Sequence, residues 1–351
     1  MPRVEVMTEG RSVREVLAWS RSTVDPALRA AVDTLPSSMR RIAAYHFGWQ
    51  DERGRPAEAS AGKAIRPALV LLTAEAVGGV PASAVPAAVA VELVHNFSLL
   101  HDDVMDGDLT RRHRPTAWSV FGTGEAVLAG DALLTLALEV LAGSGHPAAR
   151  EQLRMLSAAV LNLLDGQSAD LAFEQRTDVG LTECLAMARG KTGALLGCAC
   201  ALGALSGGGC PEQVEQMRGF GEHLGLAFQF VDDLLGIWGD PAVTGKPVHS
   251  DLRTRKKSLP VVAALASGTP AGRELDALYH REQPPSGADL VRAAKLIDIA
   301  GGRDWSQARA DDLLAQALCR LELCRLESTR AAARASAELE ALSRLIILRD
   351  H

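Results

Sequence analysis

Aromatic residues make up only 4% of this 351-residue chain, and almost no stretch alternates apolar and polar positions through β-branched residues. A buried sheet therefore lacks its usual material, and the sequence offers no strand candidate. The six cysteines, Cys184, Cys198, Cys200, Cys210, Cys319 and Cys324, form no C-x-x-C pair, and most fall within helical patterns. This speaks against a zinc or disulfide framework; they read as small core residues in a reducing cytosol. No linker-length run of Gly or Pro divides the chain, no internal repeat is present, and the breaks at Gly207 to Pro211 and Pro284 to Gly287 are turn-sized. One domain over 23–351 is expected, after a segment 1–22 that is weakly ordered or a short leading helix. The N-terminal stretch MPRVEVMTEGRSVREV has no apolar signal core, and the longest apolar run, Ala194 to Leu205, is too short and glycine-broken to span a bilayer. No membrane span is expected, and the expected compartment is the cytoplasm. Basic charge is not in excess: the net charge of −6 argues against a nucleic-acid partner. Walker, Rossmann, H-E-x-x-H and Ser-His-Asp patterns are all missing.

What is abundant is Ala and Leu at three-to-four-residue spacing in a chain that is 47% hydrophobic, which predicts an all-α fold with a large core. Asp25 is placed to cap a helix running to about Gly48, and Pro67 to open another. Further helices are predicted over about 116–143, 147–167 and 181–205, the last interrupted by Gly190, Lys191, Thr192 and Gly193. From about Arg273 the pattern is amphipathic helix with a polar turn at REQPPSG.

The chemistry concentrates in LLHDDVMDGDLTRRHRP, Leu99 to Pro115, at the end of a strongly helical stretch. On a helix, Asp102 and Asp106 point about 40° apart and Asp103 about 100° from Asp102, so all three are expected on one side. Such repulsion near the negative end of a helix costs stability unless cations fill it, and ligands that are all oxygen suit Mg²⁺. A second apolar segment, GEHLGLAFQFVDDLLGIWGD from Gly221, repeats the layout with Asp232, Asp233 and, beyond them, Asp240. A helical bundle could bring two such clusters to face one cavity.

Separated cations accompany them. Lys63 and Arg66 in GKAIRP fall near a helix N-terminus, which already favours anions. Lys191 interrupts an apolar stretch beside Thr192. The loop GKPVHSDLRTRKKSLP holds Lys246, Asp251, Arg253, Arg255, Lys256 and Lys257. Each alone reads as solvated surface charge. Together they describe sites for diphosphate groups in an apolar-walled helical cavity, hence metal-assisted ionisation of an alkyl diphosphate.

GKAIRP, DDVMD with its trailing Arg111 and Arg112, KTG, FQFVDD and GKPVHSDLRTRKKSLP, in that order between about Gly62 and Pro260, resemble the trans-isoprenyl diphosphate synthases of the polyprenyl synthetase family, most of all the bacterial geranylgeranyl diphosphate synthases. The resemblance implies a single-domain helical bundle of the isoprenoid synthase type around a central cavity, usually a homodimer. It also implies condensation of isopentenyl diphosphate with an allylic diphosphate, using about three Mg²⁺ ions. Position by position, Lys63, Arg66, His95 and Arg112 resemble the isopentenyl diphosphate pocket, and Arg111, Lys191, Thr192, Gln229, Lys246 and Lys256 the allylic one. Asp102, Asp106 and Asp232 resemble the principal metal ligands; Asp233 joins them as a ligand or, like Asp103, as added charge. Phe97 and Ser98, about 6 to 7.5 Å down the helix from Asp102, resemble the chain-length floor. A large residue followed by a small one implies a C20 product.

One departure stands out. The family's second motif ends in a carboxylate, but here DDLLG places Gly236 there, which weakens metal binding unless water or Asp240 compensates. Two rivals follow: a catalytically silent prenyl-diphosphate-binding subunit, suggested by Gly236, and a class I terpene cyclase, which needs neither GKAIRP nor the trailing arginines.

Overall fold

The computed structural model describes residues 10–57, 62, 64–241, 247–281, 283–324 and 329–347. The architecture is all-α, as expected, with one exception. Helix α1 (Val13–Asp33) starts in a capping box: the Ser12 hydroxyl accepts the Glu15 amide while the Glu15 carboxylate accepts the Ser12 amide. That cap and a buried stripe of Val16, Ser20, Val24, Leu28 and Val32 carry the helix through Pro26. Residues 13–22 are thus helical, the second of the two forms expected for that segment, and Asp25 is corrected: it lies within the helix instead of capping it. Helices α2 (Ser37–His46) and α3 (Ile65–Ala76) follow, the latter opening at Ile65 with Pro67 in its third position.

A 3₁₀ turn (Pro81–Ala84) leads into α4 (Val85–Met105). Together, Pro81–Met105 are long and apolar enough to cross a bilayer, yet 72% of the most apolar window is buried in the protein. Helix α4 stops in a Schellman closure: Asp106 bonds the Asp102 carbonyl at 2.8 Å, Gly107 takes φ 66°, and the Asp108 amide returns to the Asp103 carbonyl at 3.0 Å. Then comes the exception, a hairpin of β1 (Thr110–Arg111) and β2 (Arg114–Pro115), pairing Thr110 with Pro115 and Arg111 with Arg114. Strands two residues long carry no readable period, so the sequence could not announce them.

The helix expected over 116–143 is split at Gly122, φ 98°, into α5 (Ala117–Phe121) and α6 (Thr123–Ala142). Helix α7 (Ala149–Glu174) runs beyond its expected end. Next come α8 (Leu181–Ala188), a π-helical turn (Arg189–Gly193) and α9 (Ala194–Ser206). Helices α10 (Pro211–Trp238), α11 (Ser250–Arg253), α12 (Leu259–Leu265) and α13 (Pro270–Tyr279) lead to α14 (Gly287–Ile299), α15 (Gly302–Leu323) and α16 (Arg330–Ile347).

The described residues form two compact units. One draws on Met1–Ser157, Cys198–Arg218 and Arg320–Leu342, the other on Ala158–Gly197, Gly219–Cys319 and Ser343–His351. In the first, α4 is the core helix, packed on α6, α3 and α1. Leu69, Leu71, Leu72, Leu93, Leu100 and Leu133 are fully enclosed there, each contributing about 1.5–3 kcal/mol by burial. Arg11 ties α16 to this core through Glu338 at 2.6 Å and Glu75 at 3.3 Å. The second unit has its own cluster, including Ile237, Leu252, Val261, Leu275 and Ile297. Cys210 and Cys319 are exposed, contrary to expectation, while the other four cysteines are buried; all six are free thiols.

Candidate active site

The carboxylates that close α4 diverge. Asp102 is half-buried and Asp106, the helix C-cap, is exposed, whereas Asp103 is 1% exposed. Its Oδ1 accepts a hydrogen bond from Arg111 Nε at 2.6 Å, and its buried Oδ2 has no partner among the described residues. Burial raises the Asp103 pKa, with Arg111 opposing. Asp103 is thus tied to the hairpin that follows.

That hairpin explains why two successive arginines sit here. Its two-residue turn, Arg112 and His113, is left-handed at both positions, φ 52° and 62°, as a hairpin of matching twist demands. For side-chain-bearing residues this costs on the order of 1 kcal/mol each, so something must hold it. Arg114 donates to the carbonyls of Tyr45 and Gln50, both at 3.2 Å, with its guanidinium 4.5 Å above the Tyr45 ring. The Tyr45 hydroxyl donates to the Pro115 carbonyl at 2.8 Å. Thr116 Oγ1 and Trp118 Nε1 both donate to the Asp108 carbonyl.

The hairpin delivers Arg112 against Gly62 of GKAIRP: a Cβ on Gly62 would overlap the Arg112 guanidinium, and Arg21 donates to the Gly62 carbonyl. Arg66, at the second position of α3, and His95 of α4 complete a cationic nest. Helix α3 has no side-chain N-cap, and Ala64 precedes it in the left-handed region, φ 51°. Burial lowers the Arg66 pKa to about 10, against the pull of Glu92. Its buried Nε makes no hydrogen bond among the described residues. Burial, reinforced by Arg66 and Arg112, holds His95 well below the usual histidine range, so the ring is neutral. Lys63 lies outside the described residues.

Glu92, His46 and Asn96 belong to this nest and went unnoticed in the sequence. Asn96 Nδ2 donates to Glu92 Oε1 at 3.0 Å. Burial raises the Glu92 pKa while Arg66 lowers it. Burial and then Arg112 depress His46 to about 3. An acid inside an apolar helix was the available signal at Glu92; His46 and Asn96 carried none.

In the second unit the KTG element forms the π turn. Helix α7 crosses it so closely that a Cβ on Gly166 would strike the Lys191 amide and one on Gly190 the Asn162 carbonyl. A widened turn of this kind redirects side chains inside a helix. Lys191 Nζ meets Asp170 at 2.6 Å, a partner the sequence reading missed. Thr192 Oγ1 donates to Gln229 Oε1 at 2.6 Å, and Gln229 Nε2 to Asp233 Oδ1 at 2.8 Å. Asp233 Oδ2 accepts the Leu259 amide at 2.9 Å, capping α12, and Lys256 Nζ stands 3.5 Å from Oδ1. Burial works against the charged ammonium of Lys256, but Asp233, Asp251, Asp170 and Asp232 outweigh it and raise its pKa well above normal. Both Asp233 oxygens are therefore engaged in organising this cationic group, whereas Asp232 beside it is exposed. Gln167, whose buried amide atoms have no partner among the described residues, gave no signal in the sequence. Lys246 lies outside the described residues.

Among the described residues no three His, Cys, Asp or Glu side chains converge as a closed metal cage. In the first unit Asp102 and Asp106, and in the second Asp232, instead offer carboxylate oxygens near helix ends. Carboxylates of this kind fit a small hard cation that keeps water ligands and shares itself with substrate phosphates, as Mg²⁺ does.

The polyprenyl synthetase family model matches residues 55–297. A (2E,6E)-farnesyl diphosphate synthase of Mycobacterium tuberculosis is 52% identical over 303 residues, covering 86% of this chain and 84% of that one. A geranylgeranyl diphosphate synthase of the same organism is 45% identical over 338 residues, covering 96% and 94%. Among solved structures, a polyprenyl synthetase from Streptomyces coelicolor superposes with a TM-score of 0.90 at 47% identity, covering 96% of this chain and 100% of that one. With the motifs in family order, the same helices around them and these relatives along nearly its whole length, the chain belongs to the polyprenyl synthetase family.

Proposed function

We propose that the product is mainly C20 and that the chain works as a cytoplasmic, Mg²⁺-dependent homodimer of one functional domain. Its activity is prenyl transfer, the condensation of isopentenyl diphosphate with an allylic diphosphate. The observation that carries the substrate assignment is the buried Arg66 Nε, a donor without a partner among the described residues, beside Arg112 and the start of α3, which has no side-chain cap among them. A buried unpaired donor is costly unless a ligand uses it, and a diphosphate is the ligand such a nest suits. For product length the support is Phe97, 3% exposed and edge-on to His101 at 4.8 Å, followed by small Ser98. For a dimer it is Leu161 and Leu164, exposed one turn apart on α7.

In this reading Arg66, Arg112 and His95 hold the diphosphate of isopentenyl diphosphate, the role the resemblance also gives Lys63. Neutral His95 donates a hydrogen bond without adding charge. Lys191, Lys256 and Lys246 neutralise the allylic diphosphate as its carbon–oxygen bond breaks. Thr192 and Gln229 fix the Lys191 and Lys256 side of that pocket. Asp102 and Asp106 on α4, and Asp232 on α10, would hold Mg²⁺, which would supply Lewis-acid stabilisation of the leaving diphosphate. The alkene of isopentenyl diphosphate attacks the allylic carbon, and the departing diphosphate takes the released proton.

The test is incubation of pure protein with isopentenyl diphosphate, Mg²⁺ and each of the C5, C10 and C15 allylic diphosphates. A C20 product is expected, and Asp102→Ala should lower turnover by at least about 10²-fold, the loss of an electrostatic transition-state contact. Near-normal turnover in that variant would sink the metal assignment, and no product from any primer would leave the silent-subunit alternative.

A further inference from the structure

The missing carboxylate of the second acidic motif has a counterpart elsewhere in the chain. A Cβ built on Gly236 would land on the side-chain carboxylate of Asp251, overlapping Cγ and both oxygens. Asp251 belongs to α11, which is fastened to the last turn of α10. Ser250 Oγ donates to the Gly236 carbonyl at 3.2 Å, and the His249 amide and Nδ1 both meet the Ile237 carbonyl, at 3.2 and 2.7 Å. His249 adopts the left-handed region, φ 63°, to make that turn. The Asp251 carbonyl accepts the Lys256 amide at 2.9 Å, closing the segment from the other side.

Position 236 lies one helical turn beyond Asp232 on the same face of α10, just as Asp106 lies one turn beyond Asp102 on α4. We infer that Asp251 supplies the carboxylate the second motif lacks, pairing with Asp232 toward Mg²⁺, and that Gly236 is glycine because Asp251 needs its space. This rests on the assignment of Asp232 as a metal-holding residue. The competing role for Asp251 is to anchor Lys256. That role is already filled by Asp233, which lies nearer Lys256 Nζ, 3.5 Å against 3.9 Å, and is nearly inaccessible, while the Asp251 side chain remains 16% exposed. Ser250 Oγ reaches Asp251 Oδ1 at only 3.3 Å. Neither water nor Asp240 is then required, and Gly236→Asp fills no gap: it collides with the residue that has already filled it.

Thermal unfolding of the full chain with inorganic diphosphate, titrated with Mg²⁺, tests this without turnover. Asp251→Asn should raise the Mg²⁺ concentration for half-maximal stabilisation by about 10-fold or more, as loss of a metal-supporting group does. Gly236→Asp alone should raise it too, while Gly236→Asp combined with Asp251→Gly should return it to within about threefold of the parent. Melting without Mg²⁺ separates these shifts from simple loss of folding. If Asp232→Asn moves the Mg²⁺ midpoint but Asp251→Asn changes only the KM of the allylic substrate, Asp251 serves Lys256 and the inference is overturned. Should Asp232→Asn leave the midpoint unmoved as well, the metal assignment on α10 falls with it.

Discussion

Replacing Asp233 by Ala removes three supports of one buried carboxylate at once. The Leu259 amide loses its acceptor, and a helix N-terminal cap is worth about 1 kcal/mol. The Gln229 amide, held at 2.8 Å, loses its acceptor too, at a cost of about 1–3 kcal/mol. Lys256 loses its nearest counter-charge, but with its side chain 32% exposed it can turn toward water. That part therefore belongs near the surface-pair value of about 1 kcal/mol and not at the 3–5 kcal/mol of a sealed pair. Together the loss is about 4 kcal/mol, a fall in Tm of about 5–6 °C for a chain of this size. Asp233→Asn keeps the shape but must turn an N–H toward either the Leu259 amide or the Gln229 amide, so it should fall between Asp233→Ala and the parent. The assay is circular dichroism melting without Mg²⁺. If Asp233→Ala melts within about 2 °C of the parent while losing its response to Mg²⁺, the architectural role assigned to Asp233 is wrong and it is a metal ligand after all.

The pH dependence of stability follows from two histidines. In the fold His46 titrates near 3 and His95 well below its ordinary value, so from about pH 6.5 downward the unfolded chain binds more protons and stability falls with pH, by up to about 1.4 kcal/mol per pH unit for each ring. His46→Gln should remove one proton's worth of that slope between pH 6 and 5 in urea titrations, and an unchanged slope would refute the burial argument. For chain length, Phe97→Ala should shift products beyond C20 and Ser98→Phe should shorten them to C15, read by mass spectrometry. Unchanged lengths in both variants would place the floor elsewhere.

Composition and helical period were enough to settle an all-α chain, because the spacing of Ala and Leu is a local property that folding only has to respect. The motif residues were legible for a similar reason: carboxylates and cations spaced along an apolar helix conflict with burial, and such conflicts mark function. Helix ends were less so. A capping box at Ser12 outweighed the doubtful look of the first residues, and Gly122 split a pattern that read as continuous.

What the tertiary structure alone decided is which carboxylate does what. Asp102 and Asp103 are neighbours of identical chemistry, as are Asp232 and Asp233. In each pair the second member is sealed, by Arg111 of the following hairpin in one case and by Gln229 of the same helix with Leu259 and Lys256 of a later segment in the other, because folding brings these partners to its side of the helix. The hairpin around Arg112 and His113 is too short to have a period, and it exists because Tyr45 and Arg114 hold a turn that local preference disfavours. Gly236 looked like a loss in one dimension. Only in three does the space it leaves turn out to be occupied by Asp251, since proximity between a helix end and a loop fifteen residues further on is a product of packing that no local pattern encodes.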